Sequence, residues 1–404
     1  MVKCEARIVV LALVIFLTPE VKGQDSDSGT IGRADQIQAQ RSSKSGSLDP
    51  AESTAVEKTF SRISHVFQRM RIRVGMGGLG PGAGLTIGSD LQWKSDNDRV
   101  LARLWGTGSV HRFYNVGSSI ETKSILGRDM SLTFEGSHAD APQLEYYGPG
   151  PNSSVHNRTN FRREDTLLNV RIGFHARRRF QQTCGVGQRF VNVGPGTNES
   201  LATTDSVFGP SEAPGIQVQS NFLVAGCSAT LDTRDFPEAP HKGTYAEARY
   251  YRYYAEGHPE FSFQRVSAVA QQSFSFFNQK RVIEVRAKTE LSLHSEKRVV
   301  PFYLQPTLGG DTDLRGFRRY RFYDENSVAL TGEYQWEINT GFDMALFVDG
   351  GKVFHRPGQI SLSNLEGSAG FGLRFKNQRS IVARLDTGFS REGFQVWLKF
   401  GKLF

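Results

Sequence analysis

Apolar and polar side chains alternate with a period of two from about residue 71 to the end of the chain, and this pattern restricts what the chain can fold into. The segments 281–294, 327–339 and 366–375 show it most clearly. In the first of them one face is apolar and the other is strongly polar, with the polar face formed by Glu284, Arg286, Lys288, Glu290, Ser292 and His294. A soluble β-sandwich shows similar alternation, so the number and length of the strands must distinguish a sandwich from a membrane barrel. We count about 16 strands of roughly 9 to 15 residues, a pattern typical of a transmembrane antiparallel β-barrel.

Composition excludes the other main classes. A chain that is 38% hydrophobic and 22% charged lacks the repeated long apolar runs of a helical membrane protein. Its 29 Phe, 12 Tyr and 4 Trp exclude a wholly disordered chain. The formal charge of +8 is compatible with nucleic acid or with an acidic membrane surface. The strand pattern favours the membrane, so we expect no nucleic-acid partner.

The N-terminus has the pattern of an export signal. Lys3 and Arg7 precede an apolar stretch at 8–17, which Thr18 and Pro19 end. This stretch is too short to span a bilayer, and we predict cleavage near residue 24. Export followed by strands of this kind indicates the bacterial outer membrane, where a sheet must close because lipid cannot satisfy an open edge.

We therefore predict four parts: a signal peptide at 1–23, a flexible linker at 24–53, a short amphipathic helix at 54–70 and an outer-membrane β-barrel at 71–404. The linker prediction follows from a Ser-, Asp-, Gln- and Gly-rich composition. The helix prediction follows from apolar residues at helical spacing. Two interpretations of the helix stay open, a helix packed on the periplasmic rim and a plug or lid at the mouth of a pore.

The last predicted strand places aromatic residues on one face up to the terminal residue. Phe400 and Phe404 belong to this row. A terminal aromatic on the last strand is similar to the signal that barrel-assembly machines recognise, so we predict this role for the two residues.

A polar, glycine-rich segment at 308–326 interrupts the strands, and five predicted strands follow it. It resembles the sixth extracellular loop of the BamA/TamA family, also called bacterial surface antigens, whose Arg-Gly-aromatic tip folds into the barrel lumen. Arg315, Gly316 and Phe317 match that tip. The element Phe347–Gly351 resembles the family's Phe-x-Asp-x-Gly strand.

The alternation of polar and apolar residues is enough to predict which carboxylates could bind an arginine at such a tip. Asp349 and Glu333 occupy the polar faces of neighbouring predicted strands, so both carboxylates point into the lumen. A guanidinium can bind them through its planar fork, and we predict that Arg315 locks the loop to Asp349 with help from Glu333. Gly316 permits a tight tip, and Phe317 is expected to pack on the inner wall. The alternative is an exposed basic loop that meets lipopolysaccharide phosphates through Arg318, Arg319 and Arg321.

Cys184 and Cys227 flank a loop at about 194–216 that is rich in Gly, Pro, Ser and Thr. The two cysteines face each other if the flanking strands pair symmetrically about that loop. Because an exported protein enters an oxidising compartment, we predict a cross-strand disulfide.

Other chemical motifs are weak or missing. A dinucleotide-type glycine pattern at 75–80 is followed by Pro81 and further glycines, which do not start a helix, so we interpret it as a barrel turn. The sequence offers no metal-ligand spacing and no nucleophile motif. We predict no catalytic residues, no metal, no cofactor and no enzyme activity.

The resemblance implies help with insertion of other barrels, or polypeptide transport, through a weak seam between the first and last strands. The alternative is a passive outer-membrane pore or structural barrel. The segment before the first strand is too short for the periplasmic POTRA domains of that family, so we expect a separate periplasmic partner. Client barrel proteins, outer-membrane lipid and lipopolysaccharide are the other expected partners.

Overall fold

A computed structural model describes residues 70–77, 83–84, 86–125, 129–177, 179–339, 341–376 and 381–400. The chain divides into the units Met1–Ile63 and Ser64–Phe404, and every described residue belongs to the second. The predicted signal peptide, the linker, Phe404 and the helix at 54–70 except Met70 lie outside the described residues. Met70 begins a strand rather than ending a helix.

Sixteen strands form one antiparallel sheet in chain order, which confirms the predicted fold class and strand number. Its strands are β1 (Met70–Gly77), β2 (Thr86–Lys94), β3 (Val100–Ser109), β4 (Tyr114–Lys123), β5 (Met130–Tyr146), β6 (Thr159–Arg177), β7 (Phe180–Pro195), β8 (Phe222–Asp232), β9 (Gly243–Ala255), β10 (Phe263–Phe276), β11 (Arg281–Leu293), β14 (Asn326–Asn339), β15 (Phe342–Phe354), β16 (Glu366–Lys376), β17 (Ile381–Ser390) and β18 (Gly393–Phe400). A separate two-stranded ribbon pairs β12 (Thr307–Leu308) with β13 (Phe322–Tyr323).

Helical structure is minor. One short α-helix, α1, covers Thr204–Val207, and single 3₁₀ turns cover Val155–Asn157, Pro259–Phe261, Phe302–Leu304 and Pro357–Gln359. No helix among the described residues is long and apolar enough to cross a membrane.

The alternation predicted from the sequence separates the two faces of the barrel wall. Val348 is 64% exposed, whereas the next residue, Asp349, is 1% exposed. Leu346 is exposed on the same face as Val348, and Ile283 and Val285 are exposed on β11. The apolar face points outward and the charged face lines the lumen, as expected for a barrel in lipid.

The glycine pattern at 75–80 begins in a strand, which corrects its interpretation as a turn for residues 75–77, while 78–80 lie outside the described residues. Gly75 and Gly77 lie inside β1, where they pair with Gly88 and Thr86 of β2. Glycine is compatible with an extended strand, so a glycine-rich stretch does not by itself mark a turn.

The connections differ in length at the two rims. The rim where β1 begins and β18 ends, here the terminal rim, has short turns such as 277–280. The opposite rim, here the loop rim, carries the long segments 147–158, 196–221 and 294–325. In outer-membrane barrels short turns face the periplasm and long loops face outward, so the loop rim is the extracellular side.

The main apolar core lies among the segments of the loop rim rather than inside the barrel. Tyr146 is its centre, and its ring lies 5.1 Å from that of Phe208, 5.2 Å from Phe302 and 4.9 Å from Tyr323. The Tyr146 hydroxyl donates to the Glu212 carbonyl oxygen at 2.5 Å. These edge-on aromatic contacts join loops that are far apart in the chain into one cap.

Candidate functional site: the lumen loop and the barrel wall

The segment 294–325, here the lumen loop, connects β11 to β14 and turns back through the ribbon of β12 and β13. Gly309 and Gly310 have φ values of +111° and +108°, which L side chains rarely adopt. At the tip, a Cβ added to Gly316 would lie 2.6 Å from the Phe389 carbonyl oxygen of β17. The tip therefore lies directly on the wall, and glycine is required for that approach.

Arg315 is at this tip and is 3% exposed. Its Nε and Nη2 donate to the two carboxylate oxygens of Asp349 at 3.0 and 2.8 Å, and its backbone N–H donates to the same group at 3.1 Å. Its Nη1 donates to Glu333 at 2.6 Å. The guanidinium also lies 3.4 Å from the centre of the Phe347 ring. The structure thus brings together Arg315, Glu333 and Asp349, the three charged residues singled out from the sequence.

Further charged side chains of the wall, which were not predicted from the sequence, continue the ion-pair network around Arg315. Arg374 of β16 donates to Glu333 at 2.8 Å and to Asp386 of β17 at 2.5 Å. Arg384 lies 2.9 Å from Asp386. Three guanidinium groups therefore face three carboxylates in a network that is buried except at Arg384, whose side chain is 24% exposed. Burial of this kind is tolerated only where the charges are paired and hydrogen-bonded.

The alternation of polar and apolar residues predicts that Arg374 and Asp386 face the lumen, but it does not predict their partners. Arg374 falls on the lumen face of β16, and Asp386 falls on that of β17. Which carboxylate an arginine meets depends on strand register and on the path of the lumen loop. Alternation with a period of two determines neither the strand register nor the path of the lumen loop.

The last strand is bound to the lumen loop from inside the barrel. The indole Nε1 of Trp397 in β18 donates to the Arg315 carbonyl oxygen at 2.7 Å. Lys399, also in β18, lies 3.0 Å from Asp311 of the loop. Burial would raise the pKa of the Asp311 carboxyl, but Arg319 and Lys399 bring it below its usual value. Asp311 is therefore held as an anion that binds β18.

The basic residues after the tip do not form one exposed patch. Arg318 is exposed. Arg319 pairs with Asp311 at 2.6 Å, and Arg321, which is 1% exposed, pairs with Glu392 of the β17–β18 turn at 2.8 Å. Arg321 also donates to the Ser153 carbonyl oxygen at 2.6 Å. Of the three arginines in the lipopolysaccharide alternative, only Arg318 is placed to reach a phosphate outside the protein.

Phe317 packs beneath the tip. Its ring lies 5.2 Å from that of Phe322 in the returning arm of the loop. The two rings share a buried cluster with Ala329 of β14 and Val353 of β15. Phe317 therefore contacts the inner wall as part of a small apolar core that the loop brings with it.

Cys184 of β7 and Cys227 of β8 are direct partners in the strand ladder and are joined by a disulfide. Phe400, the other terminal residue singled out from the sequence, pairs with Ala383 at the end of β18. The proposed role of Phe400 and Phe404 as an assembly signal stays a prediction. Among the described residues, no group of three or more His, Cys, Asp and Glu side chains could hold a metal ion.

The disulfide leads to a testable expectation. Exported protein that is denatured without reductant is expected to resist alkylation at Cys184 and Cys227, because both sulfurs are bonded. Reduction before alkylation should add two labels, which peptide mass spectrometry will locate. Labelling of both residues without reductant would contradict the pairing.

Comparison with known proteins identifies the family to which the chain belongs. The Omp85 superfamily domain model matches residues 101–382, and the chain belongs to that superfamily of outer-membrane barrels. No curated protein matches the chain by sequence.

Solved structures show the same fold at low identity. BamA from Haemophilus ducreyi lacking POTRA domains 1–3 matches with a TM-score of 0.60 at 15% identity, over 82% of this chain and 69% of that chain. CdiB from Escherichia coli matches with a TM-score of 0.55 at 13% identity, over 82% of this chain and 62% of that one. CdiB from Acinetobacter baumannii matches with a TM-score of 0.51 at 12% identity, over 83% and 60%. These likenesses show the fold, and with the domain match they identify the chain as an outer-membrane barrel of the Omp85 superfamily.

Proposed function

We propose that the chain assists insertion of outer-membrane proteins, or transport of polypeptide, through a lateral seam between β1 and β18. Arg315 would hold the lumen loop in the working conformation. The observation that carries the proposal is the attachment of this loop both to the wall, through Asp349 and Glu333, and to the last strand, through Trp397. A loop with both attachments can couple its own position to the state of the seam.

The two end strands support a seam that opens. Within residues 70–77 and 393–400, no hydrogen-bonded ladder joins β1 to β18, although Cα atoms of the two strands approach within 8 Å. Both strands are 8 residues long, whereas β6 has 19. A strand edge without a partner is a template on which another chain can add a strand.

The lumen contacts indicate which edge would be free. Trp397 and Lys399 attach β18 to the lumen loop, so β18 would stay with the loop when the seam opens. No contact of this kind is found between β1 and the lumen loop within the part of the chain that the structure describes. The edge offered to a client strand would then be that of β1. A separate periplasmic partner would deliver the client.

A passive pore is the alternative. It would need an open lumen, and its mixed charges would give modest ion selectivity. The tip of the lumen loop lies on the lumen side of the wall and the aromatic cap joins loops at the rim, which supports the assembly role over an open pore.

Cross-linking the seam tests the proposal. Val74→Cys in β1, combined in turn with Val396→Cys and Leu398→Cys in β18, should give a seam that an oxidant closes. The protein is then reconstituted in vesicles, and folding of a urea-denatured client barrel is followed. We expect the cross-linked form to act no faster than protein-free vesicles and to recover on reduction.

A matched cross-link away from the seam controls for rigidity and for reduction of the native disulfide. Ile283 and Tyr334 are direct partners in the ladder between β11 and β14, so Ile283→Cys with Tyr334→Cys locks an ordinary strand pair. This variant should keep full activity. Equal client folding with the seam locked and unlocked, together with a steady large conductance in planar bilayers, would favour the passive pore.

A further inference from the structure

The outward face of the wall carries a polar row at its loop-rim end, above the apolar band. Arg252 of β9 pairs with Gln264 of β10, which pairs with Leu293 of β11. Tyr254 and Leu293 are exposed on this same face, at 42% and 38%. The row therefore faces the surroundings of the barrel and not the lumen.

The start of the lumen loop turns this row into a pocket. Ser295 and Arg298 join Arg252 and Gln264 around a cavity of about 270 Å³, and His294 lines its side. The Arg298 N–H donates to the Ser295 carbonyl oxygen at 2.9 Å, and the following N–H, of Val299, donates to the Glu260 carbonyl oxygen at 2.9 Å. These two backbone bonds hold Arg298 in place at the pocket.

The two guanidinium groups of this pocket lack the carboxylate partners that most arginines of the wall have. Arg252 stacks over Tyr254 at 4.5 Å, which leaves the N–H edge of its planar group available. Among the described residues, no carboxylate lies within 4.0 Å of Arg252 or Arg298, whereas Arg189 pairs with Asp165 and Arg265 with Glu290. The pocket is therefore a concentration of uncompensated positive charge at the extracellular boundary of the membrane.

A second cavity lies directly below on the same strands, towards the membrane centre. It has a volume of about 550 Å³ and is lined mainly by small apolar side chains, namely Ala229, Ala246, Ala248, Ala268, Ala270 and Ala287. Ala268 follows Gln264 on β10 by four positions, which corresponds to about 13 Å along a strand. Alanine in place of larger residues leaves a groove in the lipid-facing surface.

We propose that the pocket and the groove together form a binding site for a phosphorylated, multiply acylated lipid of the outer leaflet. The phosphate would accept charge-assisted hydrogen bonds from Arg252 and Arg298, and an acyl chain would lie in the alanine groove. The spacing between cavities, with charge at the boundary and apolar surface beneath, matches the two parts of such a lipid. The inference rests on the barrel's place in the outer membrane and not on the proposed assembly role.

Native mass spectrometry of the full chain in detergent tests the site, with bis-phosphorylated lipid A as the probe. The unaltered chain is expected to retain one lipid A at concentrations where its dephosphorylated form is lost. The double variant Arg252→Ala/Arg298→Ala should bind lipid A roughly tenfold or more weakly. Arg356→Ala, which removes an exposed arginine from another segment of the loop rim, should bind like the unaltered chain.

A groove variant distinguishes a lipid from free phosphate. Ala268→Trp fills the groove and keeps both arginines, so lipid A binding should fall while inorganic phosphate binding stays unchanged. Equal binding of phosphorylated and dephosphorylated lipid A by the unaltered chain would overturn the proposal without any variant. Inorganic phosphate binding as tightly as lipid A would overturn the lipid assignment as well.

Discussion

Replacing Arg315 by Ala is expected to release the tip of the lumen loop from the wall and to destabilise the barrel by about 3–5 kcal/mol, the typical cost of breaking a buried ion pair from one side. Asp349 has a fully buried side chain, and Glu333 is 8% exposed. Without the guanidinium, Asp349 keeps only two hydrogen-bond donors among the contacts described, the backbone N–H of residue 315 and the Ser368 hydroxyl, each at 3.1 Å. Glu333 would keep Arg374 as its partner, whereas Asp349 would have to take up water or a proton to stay buried.

Chymotrypsin reports the release directly. Phe317 is 1% exposed and follows the tip, so it should resist cleavage in the unaltered protein and become a cleavage site in Arg315→Ala. The temperature at which the folded form is lost on semi-native gels should fall as well. Arg318→Ala removes the same charge from the exposed position three residues later and should change neither measurement.

An intermediate variant separates charge from geometry. Arg315→Lys keeps the positive charge and loses the planar fork that binds Asp349 through two parallel hydrogen bonds. It should fall between the unaltered protein and Arg315→Ala. Unchanged cleavage at Phe317 in Arg315→Ala would rule out the lock.

Replacing Gly388 by a larger residue is expected to displace the same tip at its contact with β17. A Cβ at this position of β17 would lie 2.5 Å from the Arg315 carbonyl carbon, and a backbone atom cannot swing away as a flexible side chain can. Gly388→Val should therefore shift the tip and lengthen the bonds from Arg315 to Asp349. Overpacking of this kind costs about 1–3 kcal/mol.

The control for this change is Gly367→Val in β16, where an added Cβ meets nothing within 4 Å. Both variants place a β-branched residue in a strand, so a difference between them reflects contact with the loop. Chymotrypsin should cut Gly388→Val after Phe317 and spare Gly367→Val. Gly388→Val and Arg315→Ala disturb the same contact between the tip and the wall. The double variant should therefore lose less stability than the sum of the losses in the two single variants. Fully additive effects would mean that the tip does not rest on Gly388.

The wall was predictable from the sequence because its signal is local. In β11, Ile283 and Val285 alternate with Glu284 and Arg286, and this period holds whatever the neighbouring strands do. The turn at 277–280 also has a local signal, because Asn278, Gln279 and Lys280 place three polar residues between two alternating segments. Phe277, Asn278 and Gln279 all have positive φ in it.

The contacts across the lumen were predictable only in part. Arg315, Glu333 and Asp349 could be proposed because alternation places the two carboxylates on the polar faces of neighbouring strands and a resemblance singles out the arginine. Trp397 lies in a strand whose sequence pattern does not single it out. Its hydrogen bond to the Arg315 carbonyl oxygen depends on the folded path of the lumen loop. The aromatic cap had no signal of its own, because loop residues lack a period.

The positions of the Arg315 partners in the sequence have a consequence for how the barrel folds. The side-chain and wall partners of this residue, from Glu333 to Trp397, all follow it in the chain. The tip therefore cannot find its final place until the last five strands have been synthesised and exported. The C-terminal quarter would then mature as a cooperative unit around the loop, and completion of the final strand would be the event that commits the barrel to its finished form.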